Sequence, residues 1–257
     1  MSALLSASGL SRRFGGVQAV RDMGIEVAPG TITGLIGPNG AGKSTLFNLL
    51  SGVMRPHAGR VHYKGADITR LPPFRRARLG MVRTFQLSRE FGRLTVLENL
   101  MLAPQMQPGE RLWPLFAQPR AVARADAQVH ARACEVLEIA TLTHLRDAYA
   151  ADLSGGQKKL LELARTLMIG CDLILLDEPG AGVNPALMGT LTEMIRTLNR
   201  EHGKTFLIVE HDMDLIARLC DPVVVMTEGT LLTRGSFDAI RADPRVIDAY
   251  LGAPADA

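Results

Sequence analysis

Gly37-Pro38-Asn39-Gly40-Ala41-Gly42-Lys43-Ser44-Thr45 is the stretch that decides the fold, because it matches the phosphate-loop pattern G-x-x-x-x-G-K-[ST]. An apolar run at residues 31–36 predicts a buried strand before it, and leucines at helical spacing predict a helix over 44–50. In the order strand, glycine-rich loop and helix, backbone N–H groups and the positive end of the helix dipole face an anion. Lys43 adds a full positive charge for phosphates, and the Ser44 hydroxyl suits magnesium. The alternative, a glycine-rich turn with a surface lysine, leaves the flanking elements unexplained.

Composition narrows the class of protein. The chain has 257 residues, of which 47% are hydrophobic and 21% charged, as in globular proteins with a sizeable core. Its net charge of +3 is too small to indicate nucleic-acid binding, and we interpret Arg75-Arg76-Ala77-Arg78 as a solvated helix face. Cys134, Cys171 and Cys220 lack metal-ligand spacing and are expected to be buried free thiols in a reducing compartment. With no signal peptide and no apolar run of about 18 residues, we expect a cytosolic chain.

The remaining pattern predicts an α/β protein. Predicted strands are two over residues 4–27 around Gly15-Gly16, then 60–63, 81–85, 173–176, 205–209, and a hairpin of 223–226 with 230–232. Predicted helices are 71–79, 95–102 with a Thr95/Glu98 capping box, 120–139, the segment after Ser154, 237–241 and 244–251. The expected inward positions of the first two strands are Val17, Val20, Ile25 and Val27. Prolines between residues 103 and 120 predict a long loop outside the core fold.

Polar residues follow three predicted strands. Asp177 and Glu178 end the most apolar strand, where the first suits magnesium and the second could activate a water, although an acidic loop is the simpler alternative. His211 follows residues 205–209, in the position of a phosphate-contacting side chain, although a lone histidine is usually structural. Gln86 follows residues 81–85, where α/β sheets bind ligands, and is by itself weak evidence.

Two further features suit a nucleotide. The segment Leu153-Ser154-Gly155-Gly156-Gln157 predicts a second helix N-terminus, with Ser154 as N-cap and N–H groups accessible to an anion. Many helices begin with serine and glycine, so this pattern alone is only suggestive. Phe14 precedes a glycine pair and could stack on a nucleobase, whereas core packing is the ordinary role of such a ring.

Together these features resemble the ATP-binding subunit of ATP-binding-cassette (ABC) transporters over nearly the whole chain. The family's motifs occur in order: Walker A at 37–45, Gln86, the signature at 153–157, Walker B at 173–177, Glu178 and His211. The resemblance implies one α/β domain over residues 1–257, with a RecA-like P-loop NTPase core and an antiparallel β subdomain at about 1–86 and 166–235. It also implies an inserted α-helical subdomain at about 87–165 and C-terminal helices at about 236–252.

Catalytic roles follow from the resemblance. It implies that Ser44 and Asp177 bind Mg²⁺, and that Gln86 contacts the metal and the attacking water and communicates with the membrane subunit. Glu178 would be the general base. His211 would contact the γ-phosphate.

ATP contacts are implied in the same way. Lys43 would bind phosphates within the loop made of Gly37, Pro38, Asn39, Gly40, Ala41, Gly42, Lys43, Ser44 and Thr45. Phe14 would stack on adenine. Two cassettes would sandwich ATP, with Ser154, Gly155, Gly156 and Gln157 of one covering ATP bound by the other.

The implied partners are two transmembrane permease subunits, a second ABC ATPase in a hetero- or homodimer, and indirectly a periplasmic substrate-binding protein, with no nucleic acid. The implied location is peripheral, on the cytoplasmic face of the bacterial inner membrane. An ABC ATPase acting on DNA or the ribosome fits less well, because such relatives usually carry two cassettes or long coiled coils. A phosphate-loop kinase leaves the segment 153–157 and His211 unexplained.

Five features narrow the resemblance to the larger ATPase subunit of branched-chain amino acid uptake systems. The first is the proline-bearing segment between residues 103 and 120. The others are Arg83-Thr84-Phe85-Gln86, the loop Gly182-Val183-Asn184-Pro185, Glu210-His211-Asp212-Met213 and Ala249-Tyr250-Leu251-Gly252. The loop at 182–185 replaces the usual D-loop Ser-Ala-Leu-Asp, so Asn184 stands where an aspartate commonly links the two ATP sites. Related cassettes for urea or short amides and for lipopolysaccharide share much of this pattern. Because the ATPase does not touch the cargo, these alternatives stay open.

Overall fold

A computed structural model describes residues 2–84, 90–104 and 118–251. Two compact units are present, one of Met1–Arg83, Asp172–Gly180 and Ile195–Ala257 and the other of Thr84–Cys171 and Ala181–Met194. Phe85 and Gln86, and most of the proline-bearing segment after Ala103, lie outside the described residues.

The predicted elements occur in the predicted order, but two helices, Pro185–Arg200 and Met213–Leu219, were not predicted from the sequence. The strands are β1 (Leu5–Phe14), β2 (Val17–Val27), β3 (Ile32–Ile36), β4 (Ala58–Tyr63), β5 (Ala66–Asp67), β6 (Met81–Arg83), β7 (Leu173–Asp177), β8 (Thr205–Val209), β9 (Val223–Thr227) and β10 (Thr230–Gly235). The α-helices are α1 (Lys43–Ser51), α2 (Pro73–Arg78), α3 (Val96–Met101), α4 (Pro119–Ile139), α5 (Gly155–Ile169), α6 (Pro185–Arg200), α7 (Met213–Leu219), α8 (Phe237–Ala242) and α9 (Pro244–Leu251). Short 3₁₀ turns lie at Thr143–Leu145 and Ala150–Asp152.

A six-stranded sheet forms the centre of the first unit, in the order β10-β9-β3-β8-β7-β6. Its strands are parallel neighbours except for β10, which is antiparallel to β9. Every residue of β3, β7 and β8 is buried, which explains their mainly apolar sequences. Because these strands are parallel, the residues that follow them share one edge of the sheet.

An antiparallel sheet in the order β2-β1-β4-β5 completes the β structure of this unit. Val20, Ile25 and Val27 are buried as predicted. The prediction for Val17 was wrong, since it is 69% exposed. Val17 pairs with Phe14 where β1 turns into β2, so it lies at the hairpin tip and beyond the core.

The core of the first unit includes residues from both sheets and from α1. Leu46, Phe47, Leu49 and Leu50 of α1 are fully buried in one apolar cluster with residues of β1, β3, β4 and β7. Burying a leucine or phenylalanine side chain contributes roughly 1.5–3 kcal/mol. The helix that follows the phosphate loop is therefore fixed by packing along its length.

Arg76 corrects the interpretation of residues 75–78 as a solvated face, because its side chain is buried and only 1% exposed. Its guanidinium donates to the carbonyl oxygens of Leu71, Leu49, Leu50 and Thr69. Two of these belong to the last turn of α1, whose carbonyls lack the usual partner four residues on; that of Leu49 also accepts the N–H of Gly52. Burial lowers the pKa of Arg76 to about 10, so it stays charged at neutral pH.

In the second unit, α3, α4 and α5 pack against one another. The predicted capping box of α3 is confirmed, since Thr95 N–H donates to Glu98 Oε2 at 2.7 Å and Glu98 N–H to Thr95 Oγ1 at 3.1 Å. Residues 160, 161, 163, 164, 167 and 168 of α5 are buried, as their spacing predicted. Within the ranges that the structure describes, no helix has the length and apolar character to cross a membrane.

All three cysteines are free thiols. Cys171 and Cys220 are buried as expected, and burial raises the pKa of Cys220 to about 12. Cys134 is only half-buried, because it lies at the edge of the α4 stripe formed by Ala133, Val136 and Leu137. The expectation of burial was therefore wrong for Cys134.

Candidate nucleotide-binding site

The phosphate loop connects β3 to α1 as predicted. A side chain at Gly37, whose φ is 153°, would overlap the carbonyl oxygen of Met226, and one at Gly42, whose φ is 97°, would overlap that of Ala19. Glycine is therefore required at both positions by close backbone approach. Gly42 is the N-cap of α1 and provides no side-chain cap. The first N–H groups of α1 thus remain available to an anion.

Lys43 lies within its own loop. Its Nζ donates to the carbonyl oxygens of Gly37 at 2.6 Å and Pro38 at 2.9 Å. Burial lowers the pKa of Lys43, and the negative charge of Glu178 opposes this shift. A phosphate oxygen would replace these carbonyls as the partner of the ammonium group.

Asp177, the last residue of β7, is a buried carboxylate with 5% exposure. Its Oδ2 accepts a hydrogen bond of 2.6 Å from Nη2 of Arg83, the last residue of the neighbouring strand β6. This leaves Oδ1 for a further partner. Carboxylate and hydroxyl oxygens are ligands that Mg²⁺ prefers, so Asp177 and the exposed Ser44 are a suitable donor set.

Glu178 and His211 lie close together after β7 and β8. Glu178 has a φ of 49°, a left-handed conformation that is uncommon for a residue other than glycine. Its N–H donates to the carbonyl of Val209 at 2.9 Å. His211 Nδ1 is 4.0 Å from Glu178 Oε1, and the His211 side chain is 68% exposed. This exposure rules out a role for His211 in the core.

Glu210 is a site residue to which the sequence alone assigned no role. Its side chain is 1% exposed, and Oε1 accepts the N–H of Gly180 at 2.7 Å. Oε2 accepts the N–H of His211 at 3.0 Å. Glu210 therefore ties the loop after β7 to the loop after β8, and its signal was an acidic residue directly after a buried strand.

Phe14 is not a core residue, because it is 43% exposed at the end of β1. The Arg12 guanidinium carbon lies 5.2 Å from the centroid of its ring. Core packing is thus excluded for this ring. Its contact with adenine stays a prediction.

The signature segment lies in the second unit. Ser154 is the N-cap of α5, as predicted: its Oγ accepts the N–H of Gln157 at 3.4 Å, and its own N–H donates to Gln157 Oε1 at 2.9 Å. Ser154 and Gly155 are exposed, whereas Gly156 is buried. A Cβ atom at Gly156 would lie 2.6 Å from Leu187 Cδ1, so the helix start packs closely against α6.

Asn184, the residue that departs from the usual D-loop, has a local structural role. Its Oδ1 accepts the N–H of Leu187 at 2.9 Å, and Pro185 is the first residue of α6. Asparagine and aspartate are comparably good N-caps. The substitution therefore keeps the helix start and removes a charge.

The first unit thus brings Lys43, Asp177, Glu178 and His211 to the edge of the central sheet where β3, β7 and β8 end. Ligands of open α/β sheets bind at this edge. The ammonium group and the helix N-terminus suit a phosphate chain, and the two carboxylates suit a metal and an activated water. Gln86 is outside the described residues and is not placed.

Comparison with protein-family models gives two matches. Residues 20–181 match the model of ABC transporters. Residues 230–256 match a model described as a branched-chain amino acid ATP-binding cassette transporter.

Curated relatives match over almost their full length. The chain is 41% identical to the probable branched-chain amino acid transport ATP-binding protein LivG of Archaeoglobus fulgidus, over 97% of this chain and 96% of the relative. It is 40% identical to the high-affinity branched-chain amino acid transport proteins LivG of Escherichia coli K12 and BraF of Pseudomonas aeruginosa, each over 97% of this chain and 98% of the relative.

Similar solved structures are also ATP-binding cassettes of ABC transporters. The ADP conformation of MJ1267, an ATP-binding cassette of an ABC transporter, has a TM-score of 0.82 and 34% identity over 98% of this chain and all of that one. A nucleotide-free ATP-binding cassette from an ABC transporter has a TM-score of 0.79 and 33% identity over 96% of this chain and 98% of that one.

We expect Lys43→Ala to weaken ATP binding about ten- to a hundredfold. It removes the one full charge from a loop otherwise made of backbone dipoles, and a hydrogen bond to a charged group contributes roughly 1.5–3 kcal/mol. Titration with a fluorescent ATP analogue measures this, with Lys64→Ala, an exposed lysine paired with Asp172, as the control. Unchanged affinity in Lys43→Ala would contradict the assignment of this loop to the ATP-binding site.

Proposed function

Since the chain belongs to the ATP-binding cassettes of ABC transporters and is an ATP hydrolase of that family, we propose that it energises uptake of branched-chain amino acids. The observation that carries the choice of cargo is the identity of 40–41% over 97% of the chain to relatives named for this transport. The family-model match at residues 230–256 supports the same choice. The cargo itself passes through partner permeases and does not touch this subunit.

We propose that ATP binds at the edge of the central sheet, with its phosphates on the backbone of residues 37–45 and on Lys43. Ser44 and Asp177 would hold Mg²⁺, with Gln86 contributing to the same site. Bound magnesium would neutralise charge on the terminal phosphates. Phe14 would stack on adenine.

In the proposed hydrolysis, Glu178 takes the proton of the attacking water as general base. Its closeness to Lys43 keeps a cation near the carboxylate. His211 contacts the γ-phosphate. Glu210 holds the loops that carry Glu178 and His211 in a fixed relation.

We propose that the complete site needs a second cassette, whose residues 154–157 cover the ATP bound here. The exposure of Ser154 and Gly155 supports this role. The further proposed partners are two permeases and, indirectly, a periplasmic binding protein. The chain would then lie on the cytoplasmic face of the inner membrane without entering it.

The test of this function is reconstitution of the chain in membranes with the permeases, second cassette and binding protein of a branched-chain amino acid uptake system from the same organism. We expect the binding protein loaded with leucine, isoleucine or valine to stimulate ATP hydrolysis, and the Glu178→Gln complex to show no stimulation. Stimulation by urea or a short amide instead would contradict the proposed cargo. Failure to copurify with any permease would contradict the transport role.

Substitutions of the two carboxylates at the end of β7 should lower ATP turnover for different reasons. We expect Glu178→Gln to keep ATP binding and lower turnover by roughly 10²–10⁴, the range of a lost general base. Asp177→Asn should weaken the metal site instead, so raised Mg²⁺ should partly restore its turnover. Steady-state ATPase assays across a Mg²⁺ series measure both, and identical responses would contradict the separate roles.

Association should depend on the signature segment. We expect the chain to be mostly monomeric without nucleotide and Glu178→Gln to associate when ATP is added, because unhydrolysed γ-phosphate bridges Lys43 of one subunit and Ser154 of the other. Ser154→Arg in this background should block association by its bulk and leave ATP binding by the monomer nearly intact. Size-exclusion chromatography with light scattering, with and without the second cassette, measures this. Loss of ATP binding by monomeric Ser154→Arg would contradict the sandwich.

A further inference from the structure

Arg83 is a buried arginine that contacts the carboxylate proposed to bind magnesium. Its side chain is 13% exposed, and Nη2 donates to Asp177 Oδ2 at 2.6 Å. Nη1 donates to Asn48 Oδ1 at 2.6 Å and to Ser51 Oγ at 3.1 Å. The guanidinium carbon lies 5.2 Å from the centroid of the Phe47 ring. One side chain thus joins β6, β7 and α1.

These contacts fix the direction of the guanidinium. Asn48, Ser51 and Phe47 all belong to α1, the helix that begins in the phosphate loop. A guanidinium is planar and donates in a rigid fork, so bonds on one side determine where the other side points. The position of Asp177 is thereby tied to the helix that carries Lys43 and Ser44.

The Nη atoms of Arg83 make the hydrogen bonds described above. Nε of Arg83 is buried and has no hydrogen-bond partner among the described residues. Within the described residues, the guanidinium therefore makes its hydrogen bonds through Nη1 to α1 and through Nη2 to Asp177.

We propose that Arg83 is a positioning residue for magnesium: it holds Oδ2 of Asp177 so that Oδ1 is presented to the metal. The inference rests on the proposed assignment of Asp177 to Mg²⁺. Two effects of Arg83 oppose one another, since its charge repels the metal and its hydrogen bond orients the ligand. Orientation dominates in this proposal, because Mg²⁺ demands near-ideal octahedral geometry and the guanidinium is held by three residues of α1.

Arg83→Gln and Arg83→Lys separate orientation from charge. We expect both to leave the affinity for a fluorescent ATP analogue in EDTA within about twofold of wild type. Both should raise the Mg²⁺ concentration for half-maximal analogue binding and hydrolysis, by about 10- to 100-fold for Arg83→Gln, the usual effect of losing a partner of a metal ligand. Lysine keeps the charge but lacks the fork, so it should follow glutamine in direction.

Arg76→Gln is the matched control, because Arg76 is also buried and donates to backbone carbonyls of α1. Its loss should lower the unfolding temperature and leave the Mg²⁺ requirement unchanged. If the Arg83 variants do not fold, Asn48→Ala tests the same inference. It removes one support of the guanidinium, keeps the Arg83–Asp177 pair, and should raise the Mg²⁺ requirement by a smaller factor.

An unchanged Mg²⁺ requirement in the Arg83 variants would overturn the inference, and so would a lower one, which would mean that Arg83 only repels the metal. A shift of equal size in Arg76→Gln would assign the effect to general destabilisation and overturn it as well. Asp177→Asn in the same titration distinguishes failure of the inference on Arg83 from failure of the proposed magnesium site. If Asp177→Asn raises the Mg²⁺ requirement and the Arg83 variants do not, the inference on Arg83 alone fails. If Asp177→Asn has no effect, the proposed magnesium site fails.

Discussion

The carbonyl oxygens of Met226 and Ala19 lie so close to residues 37 and 42 that only glycine fits at either position. Met226 belongs to β9, the parallel neighbour of β3, and Ala19 belongs to β2 of the antiparallel sheet. Both sheets therefore shape the loop between β3 and α1. The loop in turn leaves the first N–H groups of α1 without a side-chain cap and keeps Lys43 on its own carbonyls. The proposed anion site depends on the close approach of both sheets to the backbone of this loop.

Buried polar contacts then fix the side chains proposed for catalysis at the edge of the central sheet. Glu210 connects the loops after β7 and β8, and Arg83 connects β6, β7 and α1. Removing one partner of a buried charge pair is strongly destabilising, so loss of Glu210 or Arg83 would disturb the loops and strands that it connects. Rigid elements thus position Lys43, Asp177, Glu178 and His211 before nucleotide binds. This is the pre-organisation that electrostatic stabilisation of a phosphoryl-transfer reaction requires.

Local signals predicted much of this structure. The phosphate loop, the parallel strands and the Thr95 and Ser154 caps depend on neighbouring residues in sequence, and each was found where predicted. Arg76 was mistaken for a surface residue because its partners, the carbonyls ending α1, are about 26 residues away in sequence. The roles of Arg83 and Glu210 also depend on contacts between distant segments. No contact within the described residues identifies the cargo, which is indicated instead by the similarity to named relatives and by the family-model match at residues 230–256.

The most direct test of the account is thermal unfolding of the purified chain with AMP, ADP or ATP in the presence of Mg²⁺. A ligand at about 100 times its Kd adds about 2.7 kcal/mol of stability, which corresponds to roughly 5–10 °C for a chain of this size. We expect ADP and ATP to raise the unfolding temperature by this amount and AMP to have little effect, because the loop holds the β-phosphate. Equal stabilisation by AMP, or none by any nucleotide, would contradict the claim that this loop binds the phosphate chain of ATP.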